Sequence, residues 1–210
     1  VSGVRGRFIT FEGIEGAGKS TQAKLLAEAL RACGVNVLLT REPGGAPNAE
    51  MLREILLHPE QDWTLLAETL LHFAARAEHV ARTISPALAA GTWVVCDRFY
   101  DSTMAYQGYG KGLSLADIQT LKKLIGLDPD LTLILDVTIE TGFSRISERH
   151  QNRDHYEQLG DAFFLRVREG FREIAAREPA RCVLLPAEAT REAVAQHVRG
   201  LIGERFGVAL

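Results

Sequence analysis

Gly13-Ile14-Glu15-Gly16-Ala17-Gly18-Lys19-Ser20 satisfies the pattern G-x-x-x-x-G-K-[ST], and its flanks are of the kind that pattern needs. The apolar run Phe8–Phe11 before it reads as a buried strand, and Thr21–Leu30 after it carries apolar residues at helical spacing. In a strand–loop–helix context the glycines let backbone N–H groups converge on a phosphate, and the helix N-terminus adds its positive dipole behind them. Lys19 can then reach the β- and γ-phosphates while the Ser20 hydroxyl ligates Mg²⁺. Gly13, Ile14, Glu15, Gly16, Ala17, Gly18, Lys19, Ser20 and Thr21 together imply a nucleoside triphosphate site.

Working outward, the remaining chain alternates short apolar runs with longer helical patterns. The further strand candidates are Val35–Leu39, Trp93–Cys96, Leu131–Leu135 and Cys182–Leu185. All are continuous rather than alternating, as strands covered on both faces are. Helical spacing recurs near Lys19–Ala32, Ala49–Leu57, Leu65–Ala90, Leu115–Leu124, Thr141–Arg149, Asp161–Arg177 and Arg191–Phe206. The expectation is one α/β domain over residues 1–210. It has three layers of the P-loop type, with a five-stranded, mostly parallel sheet flanked by helices and ligands at the C-terminal strand ends.

A net charge of −3 over 210 residues gives no general signal for nucleic acid. Arg greatly outnumbers Lys, which suits bidentate contacts to phosphate. Cys33, Cys96 and Cys182 are far apart and in no metal spacing, so each reads as a small buried hydrophobe in a reducing compartment. There is no signal-peptide pattern and no run of membrane-spanning length. The expected setting is cytoplasmic, with no membrane partner.

Unusual residues collect where the strands end. Thr40-Arg41-Glu42-Pro43-Gly44-Gly45 follows the second run, and Asp97-Arg98-Phe99-Tyr100 follows the third. A carboxylate at Asp97 can hold Mg²⁺ through its water shell, and the adjacent Arg98 can bridge two phosphoryl groups, although a structural ion pair closing the strand is the alternative. Asp136, after the fourth run, is a competing magnesium carboxylate; the structural reading is preferred because no donor follows it directly. Arg145, Arg149 and Arg153 are spaced by four, leading into the polar loop His150–His155. Such a basic segment can close over phosphates, neutralise their charge and exclude water, or can be a solvated helix face. Phe73 and Arg76 share a helix face, which fits equally a core stripe or a nucleobase pocket.

Taken together these strings resemble the thymidylate kinases (dTMP kinases) of bacterial type. The resemblance runs over nearly the whole chain: Phe11-Glu12-Gly13-x-Glu15 through Thr21, Thr40 through Gly45, Asp97-Arg98-Phe99, and Ser102 to Gln107-Gly108. It implies transfer of the ATP γ-phosphoryl group to dTMP with Mg²⁺, and a homodimer. By resemblance, Glu15 takes the sugar 3′-hydroxyl, Pro43 and Arg53 fall on the acceptor side with Arg53 against the substrate phosphate, and Arg98 lies between donor and acceptor phosphates. Asp97 and Ser20 are the metal-shell residues. Phe73 is the base-stacking aromatic, Arg76 reads thymine, Thr103 and Gln107 meet the base edge, and Tyr106 lies beneath the deoxyribose. Lys19, Arg98, Arg149 and Arg153 are the implied catalytic cations, the last two from a lid over about residues 145–160.

Two departures stand out. The family lid commonly reads Asp-Arg-Phe-Glu, whereas this chain has Asp154-His155-Tyr156-Glu157, which passes the lid role to Arg149 or Arg153. Many members carry the stacking aromatic four residues before the thymine-reading arginine, where this chain has His72.

Overall fold

The apolar runs form one sheet in the order β2-β3-β1-β4-β5, every neighbouring pair parallel. The strands are β1 (Phe8–Glu12), β2 (Val37–Arg41), β3 (Trp93–Asp97), β4 (Leu131–Asp136) and β5 (Cys182–Pro186). The computed structural model describes residues 5–58, 60–147 and 160–210. Arg149 and Arg153, with most of the expected lid, lie outside the described residues.

β1 is buried along its whole length and β4 along all but its last residue, as their uninterrupted apolar sequence requires. Helix α1 (Lys19–Ala32) packs on β1, β2 and β3, presenting Ala23, Leu26, Ala27 and Leu30, while α8 (Asp161–Arg177) covers β4 and β5. Phe163, Phe164, Val167 and Phe171 anchor α8, and burial of each aromatic contributes roughly 1.5–3 kcal/mol. The C-terminal helix α9 (Arg191–Phe206) lies along α1.

Three expectations are corrected. β2 begins two residues later than the apolar run, because the Val35 N–H donates to Leu30 O and completes the end of α1. The pattern Leu65–Ala90 divides into α3 (Leu65–His79), a wide π-type stretch Val80–Ile84, and α4 (Ser85–Ala89). Pro86, at the start of α4, has no N–H to continue an α-ladder from the preceding turn. Cys33 is exposed rather than buried, since it lies past the last turn of α1, where its thiol donates to Ala209 O; Cys96 and Cys182 are buried as expected.

β1 lies between β3 and β4, so the chain leaves the sheet centre in both directions and a crevice opens beyond the C-terminal ends of β1 and β3. The segments lining it are the loop after β1, the turn after β2 leading to α2 (Pro47–Leu56), and the run after β3. That last run begins as α5 (Tyr100–Thr103) and widens into a π-type stretch, Met104–Gly110, which packs on α8 and on α6 (Leu115–Ile125). Asp101 pins α5 from behind through two bonds from Arg181, at 2.7 and 2.8 Å.

Candidate active site

The loop after β1 turns tightly enough to present its backbone to a ligand. Gly16 has φ +71° and lies so close to Gly142 that a Cβ would stand 2.0 Å from its carbonyl oxygen. Lys19 opens α1 and folds back over the loop, donating to Gly13 O at 3.0 Å and Ile14 O at 2.7 Å. Burial, reinforced by the charge of Arg98, lowers its ammonium from the ordinary 10.5 to about 8. A cation held in so dry a position acts strongly on any anion beside it.

Ser20 and Asp97 meet directly, the hydroxyl donating to Asp97 Oδ2. The other oxygen, Asp97 Oδ1, is buried and has no hydrogen-bond partner among the described residues. An orphaned carboxylate oxygen next to a serine hydroxyl on a phosphate loop is a hard-oxygen donor set suited to Mg²⁺. Asp136 is occupied elsewhere: Arg168 and Arg172 donate to it at 2.6 and 2.8 Å and hold its carboxyl below the usual range, so the structural reading of that residue holds.

Arg98 takes φ +71°, a left-handed conformation that costs a non-glycine residue about 1–2 kcal/mol. The turn is over-determined: Arg98 N donates to Phe11 O at 2.9 Å, and its guanidinium donates to Glu15 Oε1 at 2.8 Å and Ser102 Oγ at 3.0 Å. Burial opposes that charge, but Tyr106, Glu15 and Asp97 outweigh it and keep the guanidinium firmly protonated. Tyr106, pushed far above its ordinary pKa by burial and then by Glu15, stays a phenol and donates to Glu15 Oε2. The Arg98 guanidinium lies 5.1 Å over the Tyr106 ring.

Beneath this layer is a residue the sequence reading passed over. Glu12, fully buried at the end of β1, accepts from Phe99 N at 2.6 Å and shares a hydrogen bond of 2.5 Å with the Ser102 hydroxyl, and so fixes both sides of the Arg98 turn. Burial, with the charge of Asp101 adding, raises its carboxyl from 4.5 to about 8. Between those values the folded chain holds a proton at Glu12 that the unfolded chain has released, so stability falls as pH rises through that window. Glu12→Gln, which keeps the size and removes the titration, is expected to flatten this part of the fall. Urea midpoints of the two proteins at about pH 5 and about pH 8 check it; parallel pH trends would contradict it.

A cavity of about 250 Å³ extends from Glu15 and Arg98 past Pro43, Arg76, Thr103 and Tyr106 to His72 and Gln107. Arg76 is almost wholly buried. Its Nε donates to Glu42 Oε2 at 2.7 Å and its Nη1 to Thr103 Oγ1 at 3.3 Å, while His79 backs Glu42 from the other side at 3.1 Å. Phe73 does not line this cavity. It is a core residue whose ring supports the Arg76 guanidinium at 4.8 Å, and His72 faces the cavity instead. Adjacent helical residues point about 100° apart, and Glu42 draws the Arg76 side of α3 inward. Desolvation, then the charges of Arg76 and Lys111, lower the His72 imidazole to about 3, so the cavity sees a neutral ring. Arg53 donates to Pro43 O at 2.7 Å beside the cavity, with Asp97 and Arg98 within electrostatic reach.

On the other side of the phosphate loop a second cavity, of about 240 Å³, is lined by Gly18, Thr21, Gln22, Arg145, Thr190 and Arg191 among others. Arg145, on α7 (Ile139–Ser147), is held there by Ala187 O at 3.0 Å, which replaces the solvated-face alternative. The two cavities share the phosphate loop as a common wall. Among the described residues no group of three or more His, Cys, Asp or Glu could hold a metal, and no helix is long and apolar enough to cross a membrane.

Comparison with known proteins places this geometry among relatives. A family model described as thymidylate kinase matches residues 11–198. The thymidylate kinase of Chromohalobacter salexigens is 49% identical over 205 residues, covering 96% of this chain and 97% of that protein. That of Gluconobacter oxydans is 51% identical over 208 residues, covering 97% of each. The crystal structure of thymidylate kinase from Ehrlichia chaffeensis superposes with a TM-score of 0.76 at 40% identity, covering 94% of this chain and 99% of that one.

Proposed function

The chain belongs to the thymidylate kinase family, and from that premise we propose how its residues divide the work of the reaction. The chain is a phosphotransferase that moves the γ-phosphoryl group of ATP to dTMP, giving dTDP and ADP, in dTTP synthesis. The donor triphosphate lies on the loop Gly13–Thr21, with its nucleoside in the cavity beside Arg145 and Thr190. Acceptor dTMP occupies the other cavity. Its sugar rests on Tyr106 with the 3′-hydroxyl at Glu15, its phosphate meets Arg98 and Arg53, and its base lies by His72, Arg76, Thr103 and Gln107.

Lys19 and Arg98 carry the electrostatic part of catalysis. The attacking group is an already ionised phosphate oxygen, so no general base is needed; what lowers the barrier is positive charge fixed around the moving phosphoryl group. Ser20 and Asp97 are the residues that would hold Mg²⁺, which neutralises phosphate charge when bound. Arg149 and Arg153, proposed on the sequence alone within a lid over about 145–160 of a single domain, would add charge upon closure. The observation that carries this reading is Arg98, tied to the phosphate loop through Glu15 while lining the acceptor cavity. A kinase acting on an unphosphorylated nucleoside has no use for Arg53 and Arg98 at the acceptor end. A coupled ADP-release assay across dTMP, dUMP, dCMP, UMP, AMP, GMP and thymidine tests it. Turnover with dTMP, weakly with dUMP, and none with thymidine is expected; efficient thymidine phosphorylation would contradict it.

A homodimer and a cytoplasmic location are also proposed, the latter supported by three unpaired cysteines. Met51 and Ile55 on α2, and Leu66 and Leu70 on α3, are exposed, and these two helices pack side by side, so their apolar stripes form one candidate interface. Sedimentation should give a dimer for the parent and a monomer for Leu66→Glu with Leu70→Glu.

A further inference from the structure

Gln107 and Glu68 meet in the wall of the acceptor cavity, and the chemistry of that pair constrains the base. Glu68, on α3, accepts from Gln107 Nε2 at 3.0 Å, and Lys111 donates to both Glu68 oxygens at 2.8 and 2.7 Å. All three residues line the cavity that holds Arg76. A carboxylate accepts hydrogen bonds and donates none, so the Gln107 amide must turn its NH₂ to Glu68, leaving its carbonyl oxygen for whatever lies beside it. Lys111, just past the π-type stretch, donates to both oxygens of the same carboxylate, so Glu68 is held from two sides with only acceptors to offer Gln107.

We propose that Glu68 is a positioning residue that sets the preference for thymine over cytosine by locking the Gln107 amide with its acceptor end toward the base. The proposal rests on the placement of dTMP argued above. Thymine shows an acceptor at O4 and a donor at N3–H along this edge, whereas cytosine shows the reverse. Arg76 can only donate, and Glu42 and Thr103 hold it in place. An unrestrained glutamine can present either end by rotating its amide: the carbonyl end matches thymine N3–H and the NH₂ end matches cytosine N3. Glu68 removes that freedom. A cytosine then faces two mismatched groups rather than one, each left without a partner in a desolvated site.

The test is the ratio of kcat/KM for dTMP to that for dCMP, measured on the same preparation so that the folded fraction cancels. Glu68→Gln keeps the packing but can meet either end of Gln107, and is expected to lower the ratio about tenfold. Gln107→Ala should lower it as well. The exchange Glu68→Gln with Gln107→Glu puts a carboxylate, which can only accept, at the base, and should return the ratio to within about threefold of the parent. A purely structural role for Glu68 would reduce both substrates together and leave the ratio in place, which would overturn the proposal. If Glu68→Gln leaves the ratio unchanged while Gln107→Ala lowers it, the orienting role fails and the base placement stands. If Gln107→Ala itself leaves the ratio unchanged, the placement of the base against Gln107 fails, and the proposal with it.

Discussion

Replacing Lys19 with alanine is expected to lower kcat at least about 10²-fold with no loss of fold stability. The two halves of that result come from the same physics. In the free protein the Lys19 ammonium is buried against two backbone carbonyls, and desolvation lowers its pKa to about 8. A cation whose folded pKa lies below its unfolded value opposes folding at neutral pH, and this opposition fades only as pH rises from about 8 toward 10.5. Removing it therefore relieves the folded state, while the reaction loses a fixed charge aimed at the transferring phosphoryl group. Turnover with ATP and dTMP, together with a thermal melt at neutral pH, checks both. Near-normal turnover would remove Lys19 from the mechanism, and a strongly lowered melting temperature would mean that its contacts are structural.

Arg98→Ala is expected to damage turnover of every monophosphate acceptor by about 10²-fold or more, because in the proposed arrangement its charge meets phosphate and not base. The loss should extend beyond the guanidinium itself. Glu15, which accepts from both Arg98 and Tyr106, would lose its guanidinium partner and keep its negative charge near the incoming phosphate. Arg76→Ala should behave differently, eroding the preference for dTMP over dCMP more than it lowers kcat. Measuring kcat and KM for both variants with both acceptors separates them. The same loss pattern for both would mean that Arg76 serves only to bind Glu42 and hold α3 in place.

The fold was legible because each of its deciding elements carries a local signal. The phosphate loop declares itself by glycine spacing, α1, α8 and α9 by apolar periodicity, and the strands of the parallel sheet by uninterrupted apolar runs. The placement of Asp97 and Arg98 against the phosphate loop was legible because a charged pair directly after a buried strand has few other places to point. What could not be read depends on partners remote in the chain. Helical spacing groups Arg76 with both Phe73 and His72, and which of the two meets the cavity depends on Glu42, brought to Arg76 by the turn after β2. Glu12 looks like an ordinary strand-end carboxylate until Ser102, Phe99 and Asp101 close around it. Glu68 gains its meaning from an amide brought to it across the cavity by the stretch after β3.

In the proposed arrangement donor and acceptor lie in two cavities meeting at the phosphate loop, so the phosphoryl group passes directly between them beside Lys19 and Arg98. A single compound joining adenosine to deoxythymidine through a polyphosphate bridge would have to fill both cavities at once. Its steady-state inhibition pattern against each substrate is the most direct measurement of that geometry. Competition with both ATP and dTMP, lost together in Arg98→Ala, is the predicted result. Competition with only one substrate would contradict the account, because the two sites would then not adjoin across Arg98.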